Sequence, residues 1–374
     1  MHLSSTSTLR WIPTLVFAAV MLFVSAMYTA AMAQDRSGSH LPSTHGHGNP
    51  LADLQRQIDE LKQELADQVT TLNQRVTNLG QWMGGLTQRV LNLEPGAFTV
   101  DCAAGEKVSE VLAEAARRTG SVTISITGVC TETVWLERSN TILVGATSDA
   151  GLQPPSGDSN SLVIWGAQGV TVKGLTLTGG MHIARGASVF VDSCRVMNSG
   201  FHGVFVNSGI IELRGTTIDG SGGSGIYAWL GSQVRMTGGA IQNSGQNGLV
   251  LQSGATGKLE SGTQVVNNQG GAALYYGASL ELLEATIKDN ALGGVKVVGN
   301  SSLLLGNGTF IANNDGNGIE LFDTSVVGSF PGQITITNNR GWGIFCTGVY
   351  QFGPGPLGDI SANDLGQISC AQGQ

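Results

Sequence analysis

The sequence has 374 residues, of which only 12% are charged and 55 are glycine, and its formal net charge is −8. The acidic balance and the absence of a Lys/Arg cluster argue against a nucleic-acid partner, because contacts to phosphates need basic side chains. The glycines follow no triplet period, which excludes collagen, and their number indicates many tight turns.

The N-terminus has the pattern of an export signal. Arg10 precedes the apolar run "WIPTLVFAAVMLFVSAMYTAAMA", which ends in the small-x-small pattern cut by signal peptidase. We predict a signal peptide over 1–33 and a secreted, periplasmic or cell-surface protein with no membrane contact after cleavage. The alternative is an uncleaved anchor, because the run is long enough to span a bilayer. Residues 34–50, rich in Ser, Gly, Pro and His, are predicted to be a disordered linker.

The segment 51–94 has a heptad pattern. Its apolar residues are spaced alternately by three and four, with one extra step of four after Leu65: Leu51, Leu54, Ile58, Leu61, Leu65, Val69, Leu72, Val76, Leu79, Met83, Leu86, Val90 and Leu93. Such a seam predicts an α-helical coiled-coil stalk with one stutter, and hence self-association into a dimer or trimer. The alternative is a helix that folds back on the following domain, which Gly80, Gly84 and Gly85 would permit.

Five cysteines, Cys102, Cys130, Cys194, Cys346 and Cys370, allow at most two disulfides. We expect Cys102–Cys130 near the start of the repeats described below and Cys346–Cys370 at their end. Cys194 falls where the equivalent repeat residues are small or apolar, so a buried, unreactive thiol is expected. No C-x-x-C motif occurs, and we predict no metal site from cysteines.

From residue 97 to about 350 the chain repeats every 22 to 25 residues. Each repeat has a turn residue, which we call the anchor: Asn198, Gly220, Asn243, Asn267, Asp289, Asn313 and Asn338. Five residues later stands a glycine, or once an alanine: Gly203, Gly225, Gly248, Ala272, Gly294, Gly318 and Gly343. An alternating strand follows, with inward pairs such as Val204/Val206 and Ile319/Leu321.

Three short strands and three turns per repeat predict one turn of a coil whose strands stack in parallel. Equivalent residues then lie above one another. We expect the anchor asparagines to form an internal hydrogen-bonded ladder.

The segment 97–350 resembles the right-handed parallel β-helix proteins of the pectin-lyase-like superfamily through its N-x-x-x-x-G-[VIL] motif and alternating strand. The resemblance implies an all-β solenoid, here preceded by the helical segment. It also implies an N-terminal capping helix, which "DCAAGEKVSEVLAEAARRTG" fits over 105–119, and a C-terminal cap or tail over 351–374. Enzymes of this superfamily act mostly on acidic polysaccharides, but the same fold also serves adhesins and tailspikes.

Catalytic motifs of that superfamily are absent: neither the Asp-Asp and G-H-G motifs nor the clustered-Asp calcium site occurs. One group of residues is chemically suggestive, namely Asp192, Arg195, His202 and Arg214. A lyase would use a base such as His202 and an arginine to neutralise a carboxylate. The alternative interpretation is an exposed ladder of ion pairs, with Arg214 stacked on Asp192.

Aromatic residues on outward positions of the strand after the glycine form a second candidate site: Phe205, Tyr227, Trp229, Tyr275 and Phe322, with Phe345 at a similar position. They are predicted to stack on sugar rings or to form a subunit contact.

The sequence thus favours an exported, oligomeric, non-catalytic glycan-binding or adhesin-like module whose partner is a polysaccharide or cell-surface glycan. One alternative is a polysaccharide lyase or glycoside hydrolase acting on an acidic polysaccharide. Another is a structural appendage without a ligand. No cofactor is predicted, although loop carbonyls could assemble a calcium site without leaving a motif.

Overall fold

The structure, a computed structural model, describes residues 50–93, 96–157, 159–353 and 355–370. The predicted signal peptide over 1–33 and all of the predicted linker except Pro50 lie outside these residues. The chain forms two structural units that divide between Gln81 and Trp82. In the described ranges no helix is both long enough and apolar enough to span a membrane.

Helix α1 runs from Pro50 to Leu93 and so covers most of the predicted stalk. Its exposed surface carries ion pairs one turn apart, such as those of Arg56 with Asp53 and Glu60 at 2.7 and 2.8 Å. The apolar seam from Leu51 to Leu86 is also exposed, with side chains 39% to 75% accessible. The helix is therefore confirmed, whereas its association with another helix is not established.

The remainder of the described chain is a β-solenoid of three parallel sheets, formed by twelve, eleven and eleven described strands. The first sheet consists, in stacking order, of Gly96–Asp101, Val122–Thr127, Thr141–Gly145, Val170–Lys173, Ser188–Asp192, Ile210–Arg214, Gln233–Thr237, Thr256–Glu260, Ser279–Leu283, Ser302–Leu305, Ser325–Ser329 and Tyr350–Phe352. The second consists of Val129–Thr131, Gly151–Gln153, Thr176–Thr178, Arg195–Met197, Thr217–Asp219, Ala240–Gln242, Gln264–Val266, Thr286–Lys288, Thr309–Ala312, Ile334–Thr337 and Asp359–Ser361. The third consists of Val134–Leu136, Asn160–Trp165, Gly180–Ala184, Val204–Asn207, Ile226–Trp229, Asn247–Gln252, Gly270–Tyr275, Val295–Val298, Ile319–Phe322, Trp342–Thr347 and Gly366–Cys370.

The alternating strands bury one continuous apolar core. The inward pairs predicted for the third sheet, including Val204/Val206 and Ile319/Leu321, are fully buried, as predicted. Strand pairing also continues beyond residue 350. Asp359–Ser361 and Gly366–Cys370, which the sequence analysis assigned to a cap or tail, extend the second and third sheets.

The glycine before each third-sheet strand is required by close packing. A Cβ on Gly248 would lie 2.4 Å from Val265 Cγ1 and 2.8 Å from Asn268 Nδ2. The position predicted for Ala272 is wrong by one residue. Ala272 pairs with Leu249 inside the strand, and Gly271 occupies the glycine position, its backbone N–H donating to Gly293 O. All seven repeats therefore have glycine at this position.

The internal ladder is likewise one residue away from its predicted place. The predicted ladder residues have left-handed backbones with φ near 55°: Asn198, Asn243, Asn267, Asn313 and Asn338. This conformation, which asparagine tolerates, directs the next side chain into the core. The ladder lies one position after the left-handed residue and consists of Asn268, Asn290, Asn314, Asn339 and Asn363, in which the Nδ2 of each of the first four donates to the Oδ1 of the next at 2.9–3.2 Å. Asn198 and Asn243 are instead followed by serines.

A short helix, α2 (Val108–Ala115), packs on the first strands within the predicted capping segment 105–119. Val108, Leu112 and Ala115 join the core. The Glu132 carboxylate accepts hydrogen bonds from the backbone N–H groups of Val108 and Ser109 at 2.6 and 3.2 Å, which satisfies donors at the helix start.

Both predicted disulfides, Cys102–Cys130 and Cys346–Cys370, are present. Cys194 is free and buried, as expected. Burial raises the pKa of its thiol to about 11, so the unreactive thiol is the dominant form at neutral pH.

Candidate functional site

The four residues predicted to be catalytic lie on three different sides of the coil. Asp192 and Arg214 are paired in register on the first sheet. Arg195 lies on the second sheet, exposed and stacked between Thr176 and Thr217. His202 lies in the turn that leads into the third sheet. The structure therefore brings together Asp192 and Arg214 but not the other two.

Asp192 is held as a paired carboxylate. Arg214 Nε donates to it at 3.3 Å, and Lys173 Nζ lies 3.6 Å away. The hydrogen bond from Arg214, opposed by partial burial, holds the pKa of Asp192 below its usual range. An ionised carboxylate between two cations stabilises an ion-pair ladder and is a poor proton donor.

A second charged cluster follows on the same sheet. Glu260 is paired with Arg235 and Lys258, and Lys258 also contacts Glu281 at 3.2 Å. Although burial opposes it, hydrogen bonds from Arg235, Lys258 and Thr237 lower the pKa of Glu260. A groove of about 480 Å³ lies beside this cluster. It is a large concavity, but the charges along it neutralise one another, so it offers little unpaired charge to a ligand.

The outer face of the third sheet has a different character. Its outward side chains form two columns along the coil. Column 1 contains Trp135, Val163, His182, Phe205, Tyr227, Val250, Ala273, Lys296, Glu320 and Phe345. Column 2 contains Trp165, Ala184, Asn207, Trp229, Gln252, Tyr275, Val298, Phe322 and Thr347. Both columns are rich in aromatic side chains.

Ring contacts are continuous over the first five turns of this face. The centroid distances are 6.4 Å for Trp135–Trp165, 6.1 Å for Trp165–His182, 4.9 Å for His182–Phe205 and 5.8 Å for Phe205–Tyr227. Such distances are typical of favourable aromatic pairs. We call these five residues the aromatic run.

Small apolar side chains form the floor of this face. Val163, Val250 and Ala273 are buried, with only 1% to 4% of their surface exposed, but none of them packs in the apolar core inside the coil. They point outward and are covered by their neighbours on the face. The outer surface of the third sheet is therefore a packed apolar layer, while Trp135 remains 58% exposed.

His202 contacts the aromatic run through Tyr227, on which its imidazole stacks at 4.6 Å. The ring centroid of Phe201, a residue that is 60% exposed, lies 3.9 Å from that of the same imidazole. The Ser224 backbone N–H donates to His202 Nδ1 at 3.1 Å, which leaves the proton of the neutral ring on Nε2. Burial lowers the pKa of His202 to about 4, so the ring is neutral at pH 7. His202 is thus suited to donate a hydrogen bond from Nε2 rather than to accept a proton.

Hydrogen bonds fix the predicted binding residues in the middle of the face. Tyr227 Oη donates to Gln252 Oε1, and Trp229 Nε1 donates to Ser253 Oγ at 3.1 Å. Burial raises the pKa of Tyr227, so the hydroxyl stays protonated. Rings that are already fixed lose little conformational freedom when a ligand stacks on them.

The C-terminal part of the face carries a smaller aromatic group with a cation. The ring centroids of Phe322 and Phe345 are 6.3 Å apart, and Lys296 Nζ lies 5.1 Å from the centroid of the Phe322 ring. At the other end, Arg185 lies 4.8 Å from the Trp165 ring. Both contacts have the geometry of cation–π pairs.

Sequence reasoning missed Trp135, Trp165, His182 and Phe201. The first two lie in the strands "VWL" and "NSLVIW", which precede the regular repeats and lack the anchor and glycine that fixed the register elsewhere. The alternation within these strands was the available signal. Among the described residues no three His, Cys, Asp or Glu side chains converge to hold a metal ion.

Comparison with known proteins supports the fold. Residues 160–310 match the family model described as a right-handed beta helix region. The expected resemblance is thereby confirmed, and the chain carries a right-handed parallel β-helix. No curated protein matches the sequence.

Solved structures of similar fold include three crystal structures of the periplasmic alginate epimerase AlgG. A double mutant shares 13% identity over 75% of this chain and 74% of that chain, with a TM-score of 0.50. A single mutant shares 13% identity over 74% of this chain and 74% of that chain, with a TM-score of 0.48. The protein without a stated mutation shares 12% identity over 74% of this chain and 70% of that chain, with a TM-score of 0.45. At such identities the likeness concerns the fold alone.

Proposed function

We propose that this protein is a non-catalytic glycan-binding or adhesin-like module that binds a polysaccharide on the outer face of the third sheet. The observation that carries the proposal is the aromatic run, in which ring contacts continue from Trp135 to Tyr227. Aromatic rings bind the apolar C–H faces of sugars, and fixed hydrogen-bonding groups beside them orient the hydroxyls. A similar fold in an enzyme whose name says that it acts on alginate is in keeping with a polysaccharide ligand.

Replacing Tyr227 and Trp229 together with alanine should abolish retention of the full chain in affinity gels containing acidic or neutral polysaccharides. The two rings belong to columns 1 and 2 respectively, so their loss interrupts both. Phe330→Ala is the matched control, because Phe330 is 50% exposed and follows a strand of the first sheet. Retention of the double variant equal to that of the unmodified chain would show that the aromatic face is not the binding site.

The enzymatic alternative, a lyase or glycoside hydrolase, predicts turnover that depends on His202 and Arg214. Arg214 lies on the first sheet and His202 in the turn that leads into the third, and neither Asp192 nor His202 is set up for proton transfer. The purified protein should therefore release neither unsaturated nor reducing ends from the polysaccharide that it binds. Release that disappears in His202→Ala and Arg214→Ala, with folding intact, would favour the enzyme. A chain that binds no polysaccharide would favour the structural appendage.

We also propose that α1 is an intersubunit coiled coil. Its seam of exposed apolar side chains has heptad spacing, and a second copy of the chain offers the complementary seam. Leu79→Asp should lower the mass measured by sedimentation equilibrium to that of a monomer. Gln81→Asp, which adds the same charge outside the seam, should leave the oligomer intact. An unchanged mass for Leu79→Asp would contradict the proposal.

The proposed location is extracytoplasmic, after removal of residues 1–33. The two disulfides support it, because such bonds persist in oxidising compartments. Mass spectrometry of the exported protein should find Gln34 at the N-terminus, whereas an uncleaved anchor would retain Arg10 and the apolar run.

A further inference from the structure

Three of the four aromatic residues of column 2 lie at a regular interval; the fourth, Trp165, lies three turns before Trp229 and is outside this series. Trp229, Tyr275 and Phe322 are each separated by two turns of the coil, with Gln252 and Val298 on the turns between them. Parallel strands lie about 4.8 Å apart, so the interval between successive aromatic residues is about 9.6 Å.

In two of the turns that follow third-sheet strands a bulky apolar residue recurs at the same interval, whereas Asp323 occupies the equivalent position after Phe322. Leu230 and Tyr276 have left-handed backbones with φ of 52° and 55°, although they are 48% and 65% exposed and gain little from burial. The equivalent positions on adjacent turns are Ser208, Ser253 and Gly299. A bulky residue in this conformation costs free energy, so two such residues at two-turn spacing indicate a function.

Column 2 and these turn residues together form a shelf. Leu230 follows Trp229, and Tyr276 follows Tyr275 with its ring 6.3 Å from that of Tyr275. The shelf therefore presents large side chains on alternate turns and small or polar ones between them. Its ligand should have a repeat that matches two turns rather than one.

We propose, building on the glycan-binding function above, that column 2 binds an extended β-1,4-linked polysaccharide lying parallel to the coil axis. In such a chain each sugar is rotated by about half a turn relative to the last, so alternate rings present the same face. One sugar is close in length to one turn of the coil. Every second sugar then stacks on an aromatic residue, first Trp229, then Tyr275, then Phe322. An α-1,4-linked glucan coils and does not keep this register.

The alternation predicts a stepped dependence on ligand length. A disaccharide reaches one aromatic residue, a trisaccharide two and a pentasaccharide three. Calorimetry of the full chain with β-1,4-linked oligosaccharides of two to six units, made of glucose, mannose, N-acetylglucosamine or mannuronate, should find one series that binds. Its affinity should rise about tenfold at three units and again at five, with little change at four and six. Maltooligosaccharides should bind weakly at every length.

A pair of variants tests the spacing itself. Phe322→Val removes the third aromatic residue and should abolish the step at five units. Combining it with Val298→Phe restores the aromatic content but places the ring one turn from Tyr275 instead of two. The double variant should bind the pentasaccharide as weakly as Phe322→Val, at an unchanged melting temperature.

Three results would each overturn the inference. One is recovery of pentasaccharide affinity in the double variant, which would mean that aromatic content and not spacing determines binding. The second is a smooth rise of affinity with length, and the third is equal binding of maltooligosaccharides. Each of them would leave the proposed glycan-binding function standing. Failure of every polysaccharide to bind the unmodified chain would overturn both.

Discussion

At the scale of single residues, His202 links the aromatic face to the solution pH. It is 8% exposed, and burial lowers its pKa to about 4, while an unfolded chain has a histidine pKa near 6.5. Between these values the unfolded chain binds more protons, so the free energy of unfolding decreases as the pH falls from about 6.5 to about 4. One pKa unit corresponds to about 1.4 kcal/mol, so the loss amounts to at most about 3 kcal/mol.

Urea denaturation at pH 7.5 and at pH 4.5 should therefore show a smaller loss of stability for His202→Gln than for the unmodified chain. His182→Gln should act in the same direction, because burial lowers the pKa of His182 as well. Asp192 and Glu260 have lowered pKa values and lose their ion pairs only at still lower pH, so they do not obscure this window. If the unmodified chain and both variants lost the same free energy of unfolding between pH 7.5 and pH 4.5, the lowered pKa values of the two histidines would be wrong.

The residues of the aromatic face show how far sequence can be taken. Phe205, Tyr227 and Trp229 were found because an anchor and a glycine fixed the register of their strands. Trp135 and Trp165 were not, because their strands lack both. That His202 stacks on Tyr227 could not be foreseen, since the contact depends on the path of a turn rather than on strand alternation.

At the scale of the repeating element, the asparagine ladder begins only partway along the coil. The same inward position is occupied by Ser199, Ser221 and Ser244 before the ladder starts at Asn268. The Ser221 and Ser244 hydroxyls are buried without a hydrogen-bond partner among the described residues. In the ladder, by contrast, Asn290 donates to Asn314 Oδ1 through both its backbone N–H and its Nδ2.

Asn314→Ala should destabilise the protein by about 3 kcal/mol, because the buried backbone N–H of Asn290 and one of its two Nδ2 hydrogens lose their acceptor, while Nδ2 still donates to Val265 O. Ser244→Asn should instead raise stability by about 1 kcal/mol, since the new amide can donate to Asn268 Oδ1. Thermal denaturation of the two variants measures both effects. A lower melting temperature for Ser244→Asn would mean that the early turns are too narrow for the larger side chain.

Sequence predicted the repeat length and the inward strand residues, but it placed both the ladder and one glycine a residue away. In the pair Asn267-Asn268 both residues favour turns, and composition does not say which has the left-handed backbone. Likewise, Gly271-Ala272 satisfies the motif in two registers. Only the Cβ clearance at Gly271, where a methyl group would lie 2.2 Å from Gly294 O, distinguishes them.

At the scale of the whole solenoid, stability depends on neighbouring turns, so a terminal turn has half the support of an internal one. Each disulfide lies near one end of the described coil and closes a loop, with sequence separations of 28 and 24 residues. A loop of that size contributes about 3 kcal/mol in the chain-entropy account.

The two ends of the coil differ in the other contacts that stabilise them. The first turns are covered by α2, which is tied down by Glu132 and by Arg138 Nε donating to Ala115 O at 3.2 Å. Among the described residues no helix follows the last strand, Gly366–Cys370.

Removing the C-terminal disulfide should therefore cause more fraying than removing the N-terminal one. In Cys346→Ser/Cys370→Ser, hydrogen exchange should accelerate in Asp359–Ser361 and Gly366–Cys370 and spread to Trp342–Thr347, while strands near Tyr227 keep their protection. In Cys102→Ser/Cys130→Ser, α2 should confine faster exchange to Gly96–Asp101 and Val129–Thr131. Uniform loss of protection in either variant would mean that the solenoid unfolds as one cooperative unit. The proposed glycan-binding face would then depend on both ends of the coil.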